Sequence, residues 1–452
     1  MLAVEDGKRV PVEQGKIVPR HLLTVRDVFD TLEKTQGTPG EMKRRSSPLR
    51  VLRNRNFFFL WIGEIISHFG DRLAQMALVG LYLKETVAMP LSHSIPVMRN
   101  LFFFSTLPVV IFAPLAGVYV DRWRRKSTLM SCDFLRAGLI LIIPLMVYQK
   151  GITHVYAVIF LVFAVTSFFI PARSAIIPNL VEKGELLAAN SLSNITRMAA
   201  TVGGVSIGGI VVAFMGVRTS FYLNSLGFAL SGLAISAIRI QEDPPSYARS
   251  GLREVGRELI QGLKFIGREP RIKFVAISLF VLMGASGLGY VIVTVFVTKA
   301  LGLGTIGLSI LAASLGGTVL CGSLLYSHFG EHLRRDRVIL TSIIMAGIGT
   351  IILAQSRTVF LLSMGVGVIG LVASPIMIAS YTLVQEITPD RIRGRIFAAL
   401  EVIISSAFLI FVWLAGVVGT RVPPSQVFYL IGVALLGYAG AVLLVRLSRR
   451  KA

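Results

Sequence analysis

The stretch "GVYVDRWRRK" (residues 117–126) follows a long apolar run and ends it with four basic residues and one acid in six positions. Two explanations fit such a cluster: a solvated basic loop, or a turn built at the end of a membrane helix. The surrounding sequence favours the second. The chain has 452 residues, of which 54% are hydrophobic and only 15% charged, whereas a soluble domain carries about a quarter charged residues. Its 43 glycines and 18 prolines point the same way, because both are more frequent in membrane helices than in soluble ones.

A helix needs roughly 20 apolar residues to cross a bilayer. Twelve stretches qualify, at about 56–83, 97–120, 127–149, 153–171, 188–215, 217–238, 273–298, 305–327, 337–355, 358–383, 395–420 and 425–446. The opening stretch is the turn between the second and third. The longest polar interruption, 239–272, separates six spans from six. The expected fold is an all-α membrane protein with twelve transmembrane helices in two pseudo-symmetric six-helix bundles. Its parts are an extension (1–50), a first bundle (51–238), a central loop (239–272), a second bundle (273–446) and a tail (447–452).

Charge sets the orientation. Of the 46 Lys and Arg, the odd-numbered loops hold about one each: Lys84, Arg99, Lys150, Arg218, Lys299, Arg357 and Arg421. Nearly all the others fall in the extension, the even loops and the tail. Basic residues collect on the cytoplasmic side, so both termini are expected in the cytoplasm. The net charge of +22 is spread over all these segments, which excludes a nucleic-acid-binding domain. The first twenty residues lack the apolar core of a signal peptide. Cys132 and Cys321 each lie in an apolar segment and give neither a disulfide framework nor a metal-site spacing. No cofactor is expected.

Two short amphipathic helices are expected outside the spans. In "RHLLTVRDVFDTLEK" (20–34), Leu22, Val25, Phe29 and Leu32 share a face. In "GLREVGRELIQGLKFIG" (251–267), Leu252, Val255, Leu259, Leu263 and Ile266 do. Such a basic helix can lie on an anionic leaflet, or simply tether the two halves.

The opening turn, with Gly117, then Asp121-Arg122, then Arg125 and Lys126, resembles the loop motif of the major facilitator superfamily. Arg124 stands where that family usually has a second glycine. "FFIPARSAIIPNLVEKGELLAANSL" (168–192) and "TLVQEITPDRIRGRIFAAL" (382–400) resemble the loops after spans four and ten in its exporter branch of enterobactin and macrolide efflux proteins. The resemblance covers roughly residues 51–446. It implies that Asp121 caps span eleven of the other half, with Asp133 and Arg136 completing the contact, so that the cytoplasmic side is held shut. Gln385, Glu386 and Asp390 are expected to lock the inner gate with Arg393 and Arg395. "GVSIGG" (204–209) resembles the antiporter motif of this family, with Val205 in place of a proline.

Charges inside the spans are concentrated in span one, "FFFLWIGEIISHFGDRLAQMALVGLYL" (57–83). At about 100° per residue, Glu64, His68, Asp71 and Gln75 fall on one face, and Ile62, Ile66, Phe69 and Leu73 on the other. An ionisable group at the bilayer centre costs roughly 2.5–3.5 kcal/mol, so its presence is a functional signal. Glu64, His68 and Asp71 are the expected proton carriers, with Arg72 beside Asp71. In related exporters a glutamine is common where Glu64 stands. Span five adds a stripe of Asn190, Asn194, Arg197 and Thr201, so Gln75, Asn194 and Arg197 are expected to line the substrate cavity. The second half keeps few membrane charges, Glu401 being the clearest.

The expected activity is proton-coupled export of an amphipathic small molecule, a drug or siderophore, by a monomer in the bacterial inner membrane. A lysophospholipid flippase and a non-transporting sensor are the alternatives. No H-E-x-x-H, G-x-S-x-G or phosphate-binding glycine loop occurs, so an enzyme is not expected.

Overall fold

A computed structural model describes residues 2–5, 8–13, 16–17, 51–120, 123–150, 152–240, 252–330 and 333–451. The stretch 20–34 and the pair Asp121 and Arg122 lie outside the described residues. Three short strands precede the bundle: β1 (Leu2–Glu5), β2 (Lys8–Glu13) and β3 (Lys16–Ile17). They pair antiparallel in the order β1-β2-β3, with Val4 opposite Arg9 and Val12 opposite Ile17.

Among the described residues beyond them, the regular elements are helices. The first half holds α1 (Arg55–Glu85), α2 (Leu91–Val120), α3 (Arg125–Lys150), α4 (Ile152–Leu180) and α5 (Leu186–Ser236). The described part of the central segment holds α6 (Leu252–Arg268). The second half holds α7 (Pro270–Val295), α8 (Gly304–Phe329), α9 (Arg335–Gln355), α10 (Val359–Ile387), α11 (Asp390–Gly419) and α12 (Pro424–Lys451).

Among the described residues, ten helices are long and apolar enough to cross a membrane. One of them, α5, is two spans joined at Gly216, whose φ of 81° and ψ of 162° break the helix. That left-handed φ is what glycine alone adopts freely. Of the two helices outside the ten, α6 has only 17 residues, whereas α1 has the length but carries Glu64, Asp71 and Arg72 in its middle. Ten, plus one for the double helix, plus α1, gives twelve spans.

Most observed boundaries differ from the sequence reading by a few residues. Two differ more. α2 begins at Leu91, ahead of 97. α4 runs past 171 to Leu180, through Pro171 and Pro178, because neighbouring helices in a membrane bundle re-satisfy what a proline releases.

The halves repeat each other. α2 and α3 both pack on α4, as α8 and α9 both pack on α10. α1 packs on α5 as α7 packs on α11. Between the halves, α5 meets α8 and α2 meets α11, again an equivalent pair. α6 lies against α11 and α7. A Cβ on Gly262 would stand 2.4 Å from the Arg395 carbonyl oxygen, so α6 approaches the α11 backbone closely. Ile266 is buried there, whereas Leu263, expected on the same face, is exposed. Phe265 rather than Leu263 joins the packed side.

Candidate functional site

The polar stripe of α1 is held by its neighbours. Asn54 caps the helix, accepting from the Asn56 and Phe57 amides. Gly70 lets the second span of α5 close in, since a Cβ there would lie 2.7 Å from Asn224 Oδ1. The Ser231 hydroxyl, on the same span, sits 2.9 Å from the Gly63 carbonyl. These approaches bring the acids of α1 against bases of α3 and α4.

Glu64 is fully buried, and its Oε1 lies 3.7 Å from Arg173 Nε of α4. Arg173 also reaches His68, with Nη1 3.4 Å from Nε2. Asp71 Oδ1 lies 3.6 Å from Arg136 Nη1 of α3. Arg136 is itself fully buried and bonds Asp133 one turn away and the Ser67 hydroxyl at 3.1 Å. Its guanidinium carbon is 4.4 Å from the Phe169 ring centre and 4.3 Å from that of Phe228. Such cation–π contacts gain most when desolvated. Asp133 Oδ2 accepts from Ser231 at 2.6 Å. Two acid–arginine pairs therefore stand side by side within the first half.

One expectation changes here. Asp71 was expected beside Arg72, but Arg72 donates to Gln75 at 3.1 Å, and Asp71 faces Arg136. Asp133 and Arg136, expected one turn apart on span three to complete the Asp121 cluster, are one turn apart on α3 and join this network. Gln75 donates to the Tyr290 hydroxyl of α7 and so joins the halves. Arg197 is exposed, with Glu64 within its electrostatic reach. The side chain of Asn194 lies outside the described residues. Sequence reading missed Arg173, Tyr290 and Ser231. The signal for Arg173 was a lone base within helical reach of span four's end.

The gate candidates are paired locally. Arg125 donates to Asn179 of α4 at 2.9 Å. Its counterpart in the second half, Arg335, stands 3.6 Å from Glu386 of α10. Arg393 approaches the Gln385 and Thr388 carbonyls at 3.5 and 3.4 Å. Arg395 was expected to face Gln385 and Glu386. It bonds Glu258 at 3.0 Å and Gln261 at 2.8 Å, both on α6, because α6 covers that end of α11. The side chain of Asp390 lies outside the described residues.

The halves are fastened at the end away from the termini. Lys299, in the π turn Phe296–Ala300 that ends span seven, donates to the Thr86 carbonyl, to the Met89 carbonyl at 2.9 Å and to the Ser94 hydroxyl at 2.7 Å. Thr305 donates to the Gly209 carbonyl at 2.9 Å. A Cβ on Gly416 would stand 2.3 Å from Arg99 Cδ, which marks how closely α11 and α2 meet at the same end. The second half adds an apolar cavity of about 180 Å³ between α7, α9, α10 and α12, lined by Leu282, Gly289, Tyr290, Leu353 and Phe428 among others. Glu401 accepts from the Tyr381 hydroxyl at 2.8 Å. Among the described residues, no group of His, Cys, Asp and Glu is gathered as a metal site.

A twelve-span bundle in two repeated halves, with ion pairs inside one half, is matched along its length by a known family profile, that of the transmembrane secretion effectors, over residues 46–452. The chain belongs to the transmembrane secretion effector family. Its family and relatives are membrane transporters of the major facilitator superfamily, not enzymes. It is 25% identical over 391 residues to macrolide efflux protein A of Streptococcus pyogenes, covering 84% of this chain and 93% of that protein. It is 27% identical over 304 residues to the multidrug efflux pump Tap of Mycolicibacterium fortuitum, covering 65% of this chain and 74% of that one. Among solved structures, a peptide transporter crystallised with sulfate overlays with a TM-score of 0.67 at 13% identity, covering 88% of this chain and 95% of that one. This last likeness concerns the fold alone. The protein is therefore an integral membrane transporter, and the two relatives named are efflux proteins.

Proposed function

We propose that the protein exports an amphipathic small molecule from the cytoplasm in exchange for protons, by alternating access of the two halves. The observation that carries this reading is the double pairing Glu64–Arg173 and Asp71–Arg136. An acid at this depth is tolerated while an arginine neutralises it, and a proton can replace the arginine. Protonation of Glu64 frees Arg173, which already touches His68. The net charge of the site then rises by one, carried by the freed Arg173, while the contact between α1 and α4 loosens. Entry of one proton down 100 mV supplies roughly 2.3 kcal/mol, or about a fiftyfold gradient of a neutral substrate.

Both termini and the central loop are cytoplasmic in this reading, on the strength of the basic residues. The Lys299 contacts then close the outer side, and the molecule faces inward, the state that loads a cytoplasmic substrate. Rocking of one half against the other about a central site is the general scheme for such repeats. The substrate's polar end meets Arg197, Glu401 and Tyr381, and its apolar part meets the wall of the second half. Relatives that are macrolide and multidrug exporters favour this substrate class. The protein functions as a monomer in the bacterial plasma membrane.

The test is substrate-driven proton flux in proteoliposomes. A screen of drugs, siderophores and lysolipids by thermal stabilisation of the purified protein finds the substrate. Glu64→Gln and the double variant with Asp71→Asn should bind it and lose proton flux. If the double variant keeps wild-type flux per substrate moved, these acids are not the carriers. Transport of a lysolipid with no proton flux would favour a flippase.

A further inference from the structure

We propose that the second half carries a binding site for an anionic diacyl phospholipid of the leaflet on the side of the termini. The site is a groove of about 1040 Å³ at that end of the bundle, between the start of α7, the start of α9 and the end of α12. It is separate from the acid–arginine network, which belongs wholly to the first half. Calling that leaflet cytoplasmic rests on the topology proposed above; the site itself does not.

The lining is divided as a phospholipid is. Its rim carries Arg271, Lys273, Arg334, Arg337 and Arg446 against the single acid Asp336, five positive charges less one negative. Asp336 is already taken, with Arg446 at 2.9 Å and Arg334 at 3.4 Å. No ion pair among the described residues reaches Arg271, Lys273 or Arg337. Three cations therefore converge on one rim outside the ion pairs of the described residues. Arg446 is held in place from both sides, by Asp336 and by the Phe274 ring 4.8 Å from its guanidinium carbon. A smaller cavity of about 250 Å³ shares Arg271, Arg334 and Asp336 and adds Arg335 and Glu386, which pair with each other at 3.6 Å and leave the balance positive.

Deeper in, the groove is lined by Ile277, Leu340, Ile344, Leu443 and Val445. Ile277, Leu443 and Val445 are exposed large apolar side chains, a surface that suits acyl chains. A phosphate at the rim with chains along this wall satisfies both surfaces together. A free inorganic anion uses only the first, and an uncharged lipid only the second. Basic pockets between transmembrane helices on this side are general sites for anionic headgroups. The volume exceeds what a phosphate alone fills and lies near the upper end for small-molecule pockets.

The experiment is native mass spectrometry of the full-length protein released from detergent. Phosphatidylglycerol is titrated against phosphatidylcholine of the same chains, and against inorganic phosphate as competitor. Each basic residue near an anionic headgroup is worth about fivefold in affinity, so Arg271→Gln with Arg337→Gln should weaken the tightest phosphatidylglycerol adduct by about thirtyfold. Arg53→Gln with Arg55→Gln, which removes two exposed charges from the same end of the first half, should leave it unchanged. Ile344→Trp, which obstructs the apolar wall and removes no charge, should also displace the lipid, and it serves if the charge variant fails to fold. Equal losses in the two charge variants would mean diffuse attraction to a basic chain and overturn the site. So would equal binding of phosphatidylcholine, or displacement of the lipid by millimolar phosphate. Lipid binding is read without transport, so failure here leaves the export reading untouched, and failure of proton coupling leaves this site untouched.

Discussion

Lys299 is a single side chain on which the closure of one end of the molecule converges. Its ammonium donates all three of its hydrogens across the halves, to two carbonyls of the α1–α2 turn and to the Ser94 hydroxyl in the first turn of α2. Lys299→Met keeps the length of the chain and removes all three bonds. A hydrogen bond from a charged donor contributes roughly 1.5–3 kcal/mol net. The three share one charge and lie at the water-exposed end, so their joint contribution is put at about 2 kcal/mol. That is roughly a thirtyfold change in the ratio of closed to open at this end, and a ratio near 99:1 would fall to about 3:1. Spin labels at Phe214 and Phe360, which are 80% and 76% exposed and belong to different halves at this end, report the change. The labels go into a background without Cys132 and Cys321. Double electron–electron resonance should show a new long-distance population in Lys299→Met and a mainly wild-type distribution in Lys299→Arg. An unchanged distribution in Lys299→Met would refute the assignment of Lys299 as the fastening. An equally changed one in Lys299→Arg would mean that fit, not charge, matters.

Removing one partner of a buried pair leaves the other uncompensated, at a cost of about 3–5 kcal/mol. Arg173→Gln should therefore lower the melting temperature sharply, and Glu64→Gln with Arg173→Gln should recover much of the loss in the same melting experiment. Gly209→Ala places a Cβ 2.0 Å from Ser309 Oγ and 2.5 Å from the Thr305 carbonyl oxygen; transport should fall while the purified protein stays folded, and the same spin labels should show the end opened. Gly70→Ala crowds Asn224 and should destabilise by about 1–3 kcal/mol, with partial recovery when Asn224→Ala is added. A cysteine at Ser246 should resist membrane-impermeant reagents in intact cells, and external labelling there would reverse the topology.

The sequence by itself determined the architecture and the face on which the chemistry sits. Long apolar runs can only be spans, because an unsatisfied backbone is prohibitive in lipid. Twelve of them, divided by one long loop, leave little choice of fold. The break between spans five and six was legible at Gly216, and the stripe of Glu64, His68, Asp71 and Gln75 followed from helical period alone. What period cannot supply is the partner of a charged face. Arg136 and Arg173 are 65 and 109 residues from Asp71 and Glu64, and only packing of α3 and α4 onto α1 brings them together. Arg173 was hidden for a further reason. Pro171 reads as the end of a span, so Arg173 passed for a loop residue until the helix was seen to continue to Leu180. Lys299 and Arg395 show the same limit. Each reads as one basic residue near a span end, and their partners, the α1–α2 turn and α6, lie on segments whose approach is set by tertiary contact rather than by anything in the local sequence.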